Sequence, residues 1–136
     1  MLKKTTQLRV RYADTDKMQF VYNGKYLEYF EVGRTELLRS VGLPYSEMEK
    51  LGCQLPLIEA GVQYKTAARY DDLLNIITVI KEKQSAKIHI DYEVRRDSDN
   101  ELIATGFTLH LFMNGETQKA MRPPKFYLEK IEKFFE

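Results

Sequence analysis

The chain has 136 residues and a formal charge of only +1, from 21 Lys+Arg against 20 Asp+Glu. Hydrophobic residues make up 43% and charged residues 30%, a balance that supports a packed core and excludes the disordered, collagen-like and disulfide-rich classes. Without a global positive field nothing holds a polyanion, so nucleic acid is not an expected partner.

The length suits a single domain running over 1–136. The opening MLKKTTQLRVRY has the lysines of a signal peptide without the apolar run of about 7 to 15 residues that follows them in one. No stretch approaches the roughly 18 apolar residues of a membrane span, and the single Cys53 cannot form an internal disulfide. A cytoplasmic protein, away from the membrane, is the expectation.

Leu8, Val10 and Tyr12 alternate with Arg9 and Arg11, the pattern of a half-buried strand that ends at Asp14-Thr15-Asp16-Lys17. From Gly24 to Val41 the period changes. Tyr26, Leu27, Phe30, Arg34, Leu37, Leu38 and Val41 recur at helical spacing, and Gly42 and Pro44 stop the helix. Gly33 costs about 1 kcal/mol relative to Ala inside that helix, which points to close approach of its backbone to a sheet. Tyr45 to Leu51 suggests a short second helix closed by Gly52.

After Pro56 strands follow one another. Ile58 to Thr66 alternates, Leu73 to Lys81 is a denser run suited to a central strand, and Lys87 to Arg95 alternates without a break. Ile103 to Met113 is a further strand, and Asn114-Gly115 signals a hairpin that returns near Gln118 to Met121. Pro123-Pro124 ends the sheet, and Phe126, Leu128, Ile131, Phe134 and Phe135 mark a terminal amphipathic helix. One strand, one long helix and then consecutive antiparallel strands is an α+β plan in which the sheet wraps the helix to bury both apolar faces. Its open edges make a homodimer with a continuous sheet the physical expectation.

The chemistry concentrates in Tyr12-Ala13-Asp14-Thr15-Asp16-Lys17-Met18-Gln19-Phe20-Val21-Tyr22-Asn23-Gly24-Lys25-Tyr26-Leu27. Two carboxylates sit between a strand and a helix, and the chain then reaches the helix N-terminus. Unpaired N–H groups and the positive dipole end there suit an oxygen gaining negative charge. A carboxylate that attacks or activates water, facing a donor that polarises a carbonyl, is the minimum equipment for splitting an ester or thioester.

Tyr-x-Asp-Thr-Asp, then Val-Tyr, then Tyr-Leu-x-Tyr-Phe-Glu-x-x-Arg resembles the signature of the 4-hydroxybenzoyl-CoA thioesterase family, hotdog proteins that include the acyl-CoA thioesterase associated with the Tol-Pal system. Ala68-Arg69-Tyr70-Asp71-Asp72-Leu73 is similar to a second block of that family, so the likeness covers nearly the whole chain. The resemblance implies a hotdog fold, an antiparallel sheet wrapped around one long central helix. It also implies hydrolysis of an acyl-CoA, or another acyl-pantetheine thioester, with no cofactor beyond the coenzyme A of the substrate. Asp16 matches the catalytic carboxylate, nucleophile or general base, and the backbone N–H at Asn23 matches the donor to the thioester carbonyl. Asp14 matches a loop-shaping residue. Homodimers or homotetramers with the acyl group at a subunit interface are implied too. Many relatives have Gly at the position of Gln19, which permits dihedrals that Gln resists, and His at the position of Asn23. The basic triplet that serves the CoA phosphates in the benzoyl-type enzyme falls at Gln84-Ser85-Ala86, with Lys81, Lys83 and Lys87 as the nearby substitutes.

Blander readings stand beside these. An Asp before a helix is most often a cap, Asp71-Asp72 a polar turn, and Tyr22, Tyr26, Tyr29 and Phe30 packing residues. Cys53 reads as a small buried thiol, and His89 with His110, at best diagonal across neighbouring strands, is too few ligands for zinc, so no metal is expected. An acyl-carrier-protein thioesterase and a non-catalytic acyl-CoA binder are the rival functions. A hotdog dehydratase lacks its His and acidic pair on the long helix.

Overall fold

The structure, a computed structural model, describes residues 1–83 and 86–136. Five strands, β1 (Leu2–Arg9), β3 (Leu57–Tyr64), β4 (Leu73–Ile80), β5 (Lys87–Arg96) and β6 (Leu102–Leu111), form one antiparallel sheet in the order β1-β4-β5-β6-β3. Helix α1 (Lys25–Ser40) packs against β1, β4 and β5. A short α2 (Tyr45–Lys50), a two-residue ladder of β2 (Cys53–Gln54) with β7 (Met113–Asn114), and α3 (Lys125–Ile131) complete the elements.

Helix α1 buries Tyr26, Tyr29, Phe30, Gly33 and Leu37, the stripe that three-and-four spacing produces. Burying each large side chain of that stripe is worth roughly 1.5–3 kcal/mol. Phe30 stacks on Tyr92 of β5, ring centroids 4.3 Å apart, and lies over Gly106 of β6, where a Cβ would strike its ring. Gly33 sits equally close to β4. A Cβ there would overlap Thr78 Oγ1 and come within 2.9 Å of Ile76 Cγ2, which accounts for a glycine in mid-helix. Gly42 (φ +83°) and Gly52 (φ +81°) end α1 and α2 in the left-handed conformation that glycine adopts without strain.

Several elements differ from expectation. Strand β1 starts six residues before Leu8 and stops at Arg9, because pairing with β4 from Leu2↔Ile80 to Arg9↔Leu73 fixes its extent. Tyr12–Asp14 is instead a turn of 3₁₀ helix. The Asn114-Gly115 turn returns through a single bridge, Met113↔Ala120, while β7 pairs with β2. Strand β4 is interior, flanked by β1 and β5, as its dense apolar run implies, while β3 forms an edge with Leu57, Ile58 and Tyr64 exposed. Tyr22 is also exposed, not packed.

Candidate active site

Three consecutive constraints shape the segment between β1 and α1. Asp14 is buried, and its Oδ2 accepts the Arg11 N–H (3.1 Å) and the Tyr29 hydroxyl (2.9 Å). Its Oδ1 takes the Arg11 guanidinium at 3.1 Å, with Lys25 Nζ at 3.8 Å. Burial alone would raise its pKa, but these hydrogen bonds and the Arg11 charge hold the carboxyl below the usual carboxylate range. Asp14 thus shapes the loop, as the resemblance implies.

Next, the chain folds back on itself. Asp16 N–H donates to Phe20 O and Gln19 N–H to Asp16 O, both at 2.9 Å, and Thr15 bridges Val21. The reversal requires φ +67° at Gln19, so the loop holds a glycine-type backbone with glutamine in it. The Asp16 carboxylate points back into this turn: Oδ1 accepts Met18 N–H (2.9 Å) and Phe20 N–H (3.3 Å). Among the described residues Oδ2 has no partner. One oxygen orients the half-buried group and the other is left unpaired. These bonds go to its own loop, so Asp16 is not a cap of α1.

Finally, the second sequence block clamps the loop from outside. Val21 N–H donates to Ala68 O (2.8 Å), Phe20 bridges Arg69, and the Arg69 guanidinium lies 4.6 Å above the Phe20 ring. Asp72 accepts the Arg69 N–H and pairs with Arg96 of β5 at 3.1 Å, while Asp71 takes φ +70° in the turn. The polar-turn reading of Asp71-Asp72 therefore holds, and it serves the site from beneath.

Tyr22 N–H donates to Asp14 O, which lays the start of α1 beside the carboxylate loop. No described residue accepts the N–H of Asn23 or Gly24, while Asn23 O takes the hydroxyl of Tyr64 from β3 at 3.1 Å. An open cleft of about 570 Å³ runs across this region, walled by Tyr12, Thr15, Asp16, Lys17, Tyr22 and Lys25. A more enclosed cavity of about 410 Å³ lies further along α1, between Arg34, Leu38, Leu55, Ile88 and His110. Glu31 supplies a carboxylate there, but no residue of the Asp16 loop lines it.

The other candidates lie elsewhere. Lys81 pairs with Asp91 at 3.6 Å, and Lys83 and Lys87 are exposed. All three sit at the Leu2–Ile80 end of the sheet, roughly 25 Å along β4 from the Asp16 loop at about 3.3 Å per residue. Gln84 and Ser85 fall outside the described residues. His89 and His110 occupy opposite faces of the sheet, so the two cannot share an ion; among the described residues no group of three or more potential ligands forms a metal cluster. Burial lifts the Cys53 thiol to about 11 and leaves it inert. Tyr64 and Arg96 were not legible as site residues, because their partners lie 41 and 24 residues away and no periodicity encodes such contacts.

A family model described as the thioesterase-like superfamily matches residues 10–131. The acyl-CoA thioesterase YbgC of Haemophilus influenzae is 33% identical over 92 residues, covering 67% of this chain and 68% of the relative. The 4-hydroxybenzoyl-CoA thioesterase of Pseudomonas sp. strain CBS-3 is 26% identical over 133 residues, 92% of this chain and 94% of that one. Among solved structures, a DHNA-CoA thioesterase from Staphylococcus aureus superposes with a TM-score of 0.90 at 29% identity, over 98% of this chain and 89% of the other. No helix among the described residues is long and apolar enough to cross a membrane.

Proposed function

The chain belongs to the thioesterase-like superfamily and has its hotdog fold, and on that footing we propose that it hydrolyses an acyl-CoA to a free acid and coenzyme A, with Asp16 as the catalytic carboxylate. The carrying observation is the division of labour within Asp16, a residue that lines the cleft: Oδ1 is fixed by two backbone N–H groups and Oδ2 has no partner among the described residues, while the N–H of Asn23, at the other end of the same loop, has no acceptor among them. The thioester carbonyl oxygen lies on the Asn23 N–H, which polarises the carbon. Asp16 then attacks that carbon, or takes a proton from the water that does. When Asp16 acts as base, it passes the proton taken from water to the sulfur as the C–S bond breaks; when it attacks, the thiolate leaves and takes a proton from solvent, and water then hydrolyses the acyl–Asp16 anhydride to free acid and carboxylate, the N–H holding the oxyanion in either course. No cofactor or metal enters this scheme.

A second copy completes the substrate channel. The exposed β3 edge pairs antiparallel with itself, so the Leu57 end of one strand meets the Tyr64 end of the other. Within a chain the Leu57 end adjoins the Lys87 end of β5, since Leu57 pairs with His110, and Lys87 with Leu111. Self-pairing therefore brings the lysine end of one protomer toward Asn23 of its partner. Lys81, Lys83 and Lys87 then serve the CoA phosphates across the interface of a homodimer, or of a homotetramer built from two such dimers, in the cytoplasm.

The test is thiol release from short, medium, long and aromatic acyl-CoAs by the wild type and by Asp16→Asn at matched folding and oligomeric state. A loss of about a hundredfold or more is expected for the variant. Retention of acyl-CoA without thiol release by either protein would replace the enzyme by a binder, and activity confined to acylated carrier protein would move the substrate class.

A further inference from the structure

We infer that Tyr64 is a positioning residue for the carbonyl-binding turn, and that its hydroxyl, acting through the Asn23 carbonyl, recruits the Gly24 N–H as a second donor to the oxyanion. The inference rests on the thioesterase reading above and adds to it a residue on a different element.

Tyr64 ends the edge strand β3, and its hydroxyl reaches the Asn23 carbonyl at 3.1 Å across 41 residues of sequence. Within one protomer the side chain is 52% exposed, so burial inside the chain does not force this bond. The ring is held in place by an edge-on contact with buried Tyr26, centroids 5.5 Å apart at 70°. A strand of the sheet thereby grips the residue just before the N-cap of α1.

The grip acts on particular peptide planes. The Tyr22 carbonyl, which shares a plane with the Asn23 N–H, accepts Lys25 N–H at 2.9 Å. The Asn23 carbonyl shares a plane with the Gly24 N–H. It accepts the Tyr64 hydroxyl, and Tyr26 N–H only at 3.4 Å. A hydrogen bond to a carbonyl polarises its peptide and strengthens the N–H on the far side of that plane. Both N–H groups lack an acceptor among the described residues, and Tyr64 is the outside group that polarises and aims the second. The gain is largest when full negative charge sits on the substrate oxygen, so it favours the transition state over bound substrate.

The experiment measures steady-state thiol release by the wild type, Asp16→Asn and Tyr64→Phe, with melting temperature and oligomeric state recorded for each. Phe keeps the ring contact with Tyr26 and removes only the hydroxyl. We expect kcat to fall about tenfold with KM within about twofold, and 3-fluorotyrosine at position 64, which keeps a hydroxyl and makes it a stronger donor, to restore it. Unchanged kcat in Tyr64→Phe, or a loss carried by KM alone, overturns the inference while wild-type turnover that vanishes in Asp16→Asn leaves the thioesterase reading standing. A wild type that releases no thiol overturns both. Should Tyr64→Phe fail to fold, the comparison of tyrosine with 3-fluorotyrosine decides: kcat must rise with the stronger donor, and a flat response overturns the inference.

Discussion

The hydroxyl of Tyr29, in the second turn of α1, donates to Oδ2 of buried Asp14 at 2.9 Å, tying the long helix to the turn that precedes the Asp16 loop. Burial and then this hydrogen bond raise the Tyr29 phenol well above its ordinary range, while Asp14 stays ionised. Tyr29→Phe should cost about 1–2 kcal/mol, as the carboxylate keeps its Arg11 bonds, and Asp14→Asn about 3 kcal/mol, because a buried charge network loses its centre. The folded pKa of Asp14 is depressed, so its contribution is complete above the unfolded value of about 3.9 and is lost as pH falls through the folded value. Urea unfolding between pH 7 and 2 should show an acid decline in the wild type that is shallower in Asp14→Asn; equal slopes would refute the assignment.

Gln19 occupies φ +67° in a turn closed by its own N–H to Asp16 O and by Asp16 N–H to Phe20 O. A side chain in this conformation costs roughly 1–2 kcal/mol, against about 0.5–1 kcal/mol of extra unfolded-state freedom for glycine. Gln19→Gly should therefore stabilise by about 0.5–1 kcal/mol and leave kcat within about twofold, because glycine adopts the same backbone. A fall in stability would mean that the exposed glutamine makes a compensating contact. The same geometry weakens the case for a disabled binder, since glutamine does not open the loop around Asp16.

Legibility tracked locality. Helix α1 announced itself through Tyr26, Phe30, Leu37 and Leu38, and Gly33 and Gly42 could be read for their physical reasons. The start of β1 could not, because Lys4 and Thr6 occupy inward positions of the register and break the alternation, which only pairing with β4 establishes. A two-residue ladder such as Cys53–Gln54 with Met113–Asn114 is too short to carry a period at all. Asp16 and Asn23 lie in one contiguous motif, so their common loop could be read from the sequence. Arg96 beneath Asp72 and Tyr64 beside Asn23 arrive from distant strands, so they emerge only once the sheet is assembled.

Gly33 allows a direct test of how closely α1 lies on β4. In an exposed helix Gly→Ala would gain about 1 kcal/mol. Here the new methyl would overlap Thr78 Oγ1, a fully buried hydroxyl, and press on Ile76 Cγ2. Overpacking of this kind costs about 1–3 kcal/mol, so after the helix gain Gly33→Ala should be net destabilising by up to about 2 kcal/mol. Pairing it with Thr78→Ser, which removes the Thr78 methyl but keeps the hydroxyl, should recover little; Thr78→Ala should recover most of the loss. Chemical denaturation of the two double variants distinguishes the outcomes, and a stabilised Gly33→Ala would show that the helix can lift from the sheet without penalty.

His110 should give the protein a second pH dependence, in a different window from Asp14. Its ring is buried between Leu55 O (3.1 Å from Nδ1) and Thr108 Oγ1 (2.9 Å from Nε2), and Thr108 Oγ1 in turn meets the Tyr92 hydroxyl at 2.6 Å. Burial first, opposed by the Leu55 bond and reinforced by the charge of Arg34, lowers its pKa from about 6.5 to about 4. The unfolded chain therefore binds a proton from pH 6.5 downward, while the folded chain refuses it until about pH 4. Above pH 7 the ring is neutral in both states and contributes no slope. Between these limits stability should fall by about 1.4 kcal/mol per pH unit from this group alone, reaching about 3 kcal/mol near pH 4. His110→Gln retains a hydrogen-bonding side chain and cannot titrate. Urea unfolding at pH 7.0 and 4.5 should show the wild type losing about 2–3 kcal/mol more than this variant. Equal losses would mean that His110 is protonated in the folded state, with Arg34 turned away from the cavity.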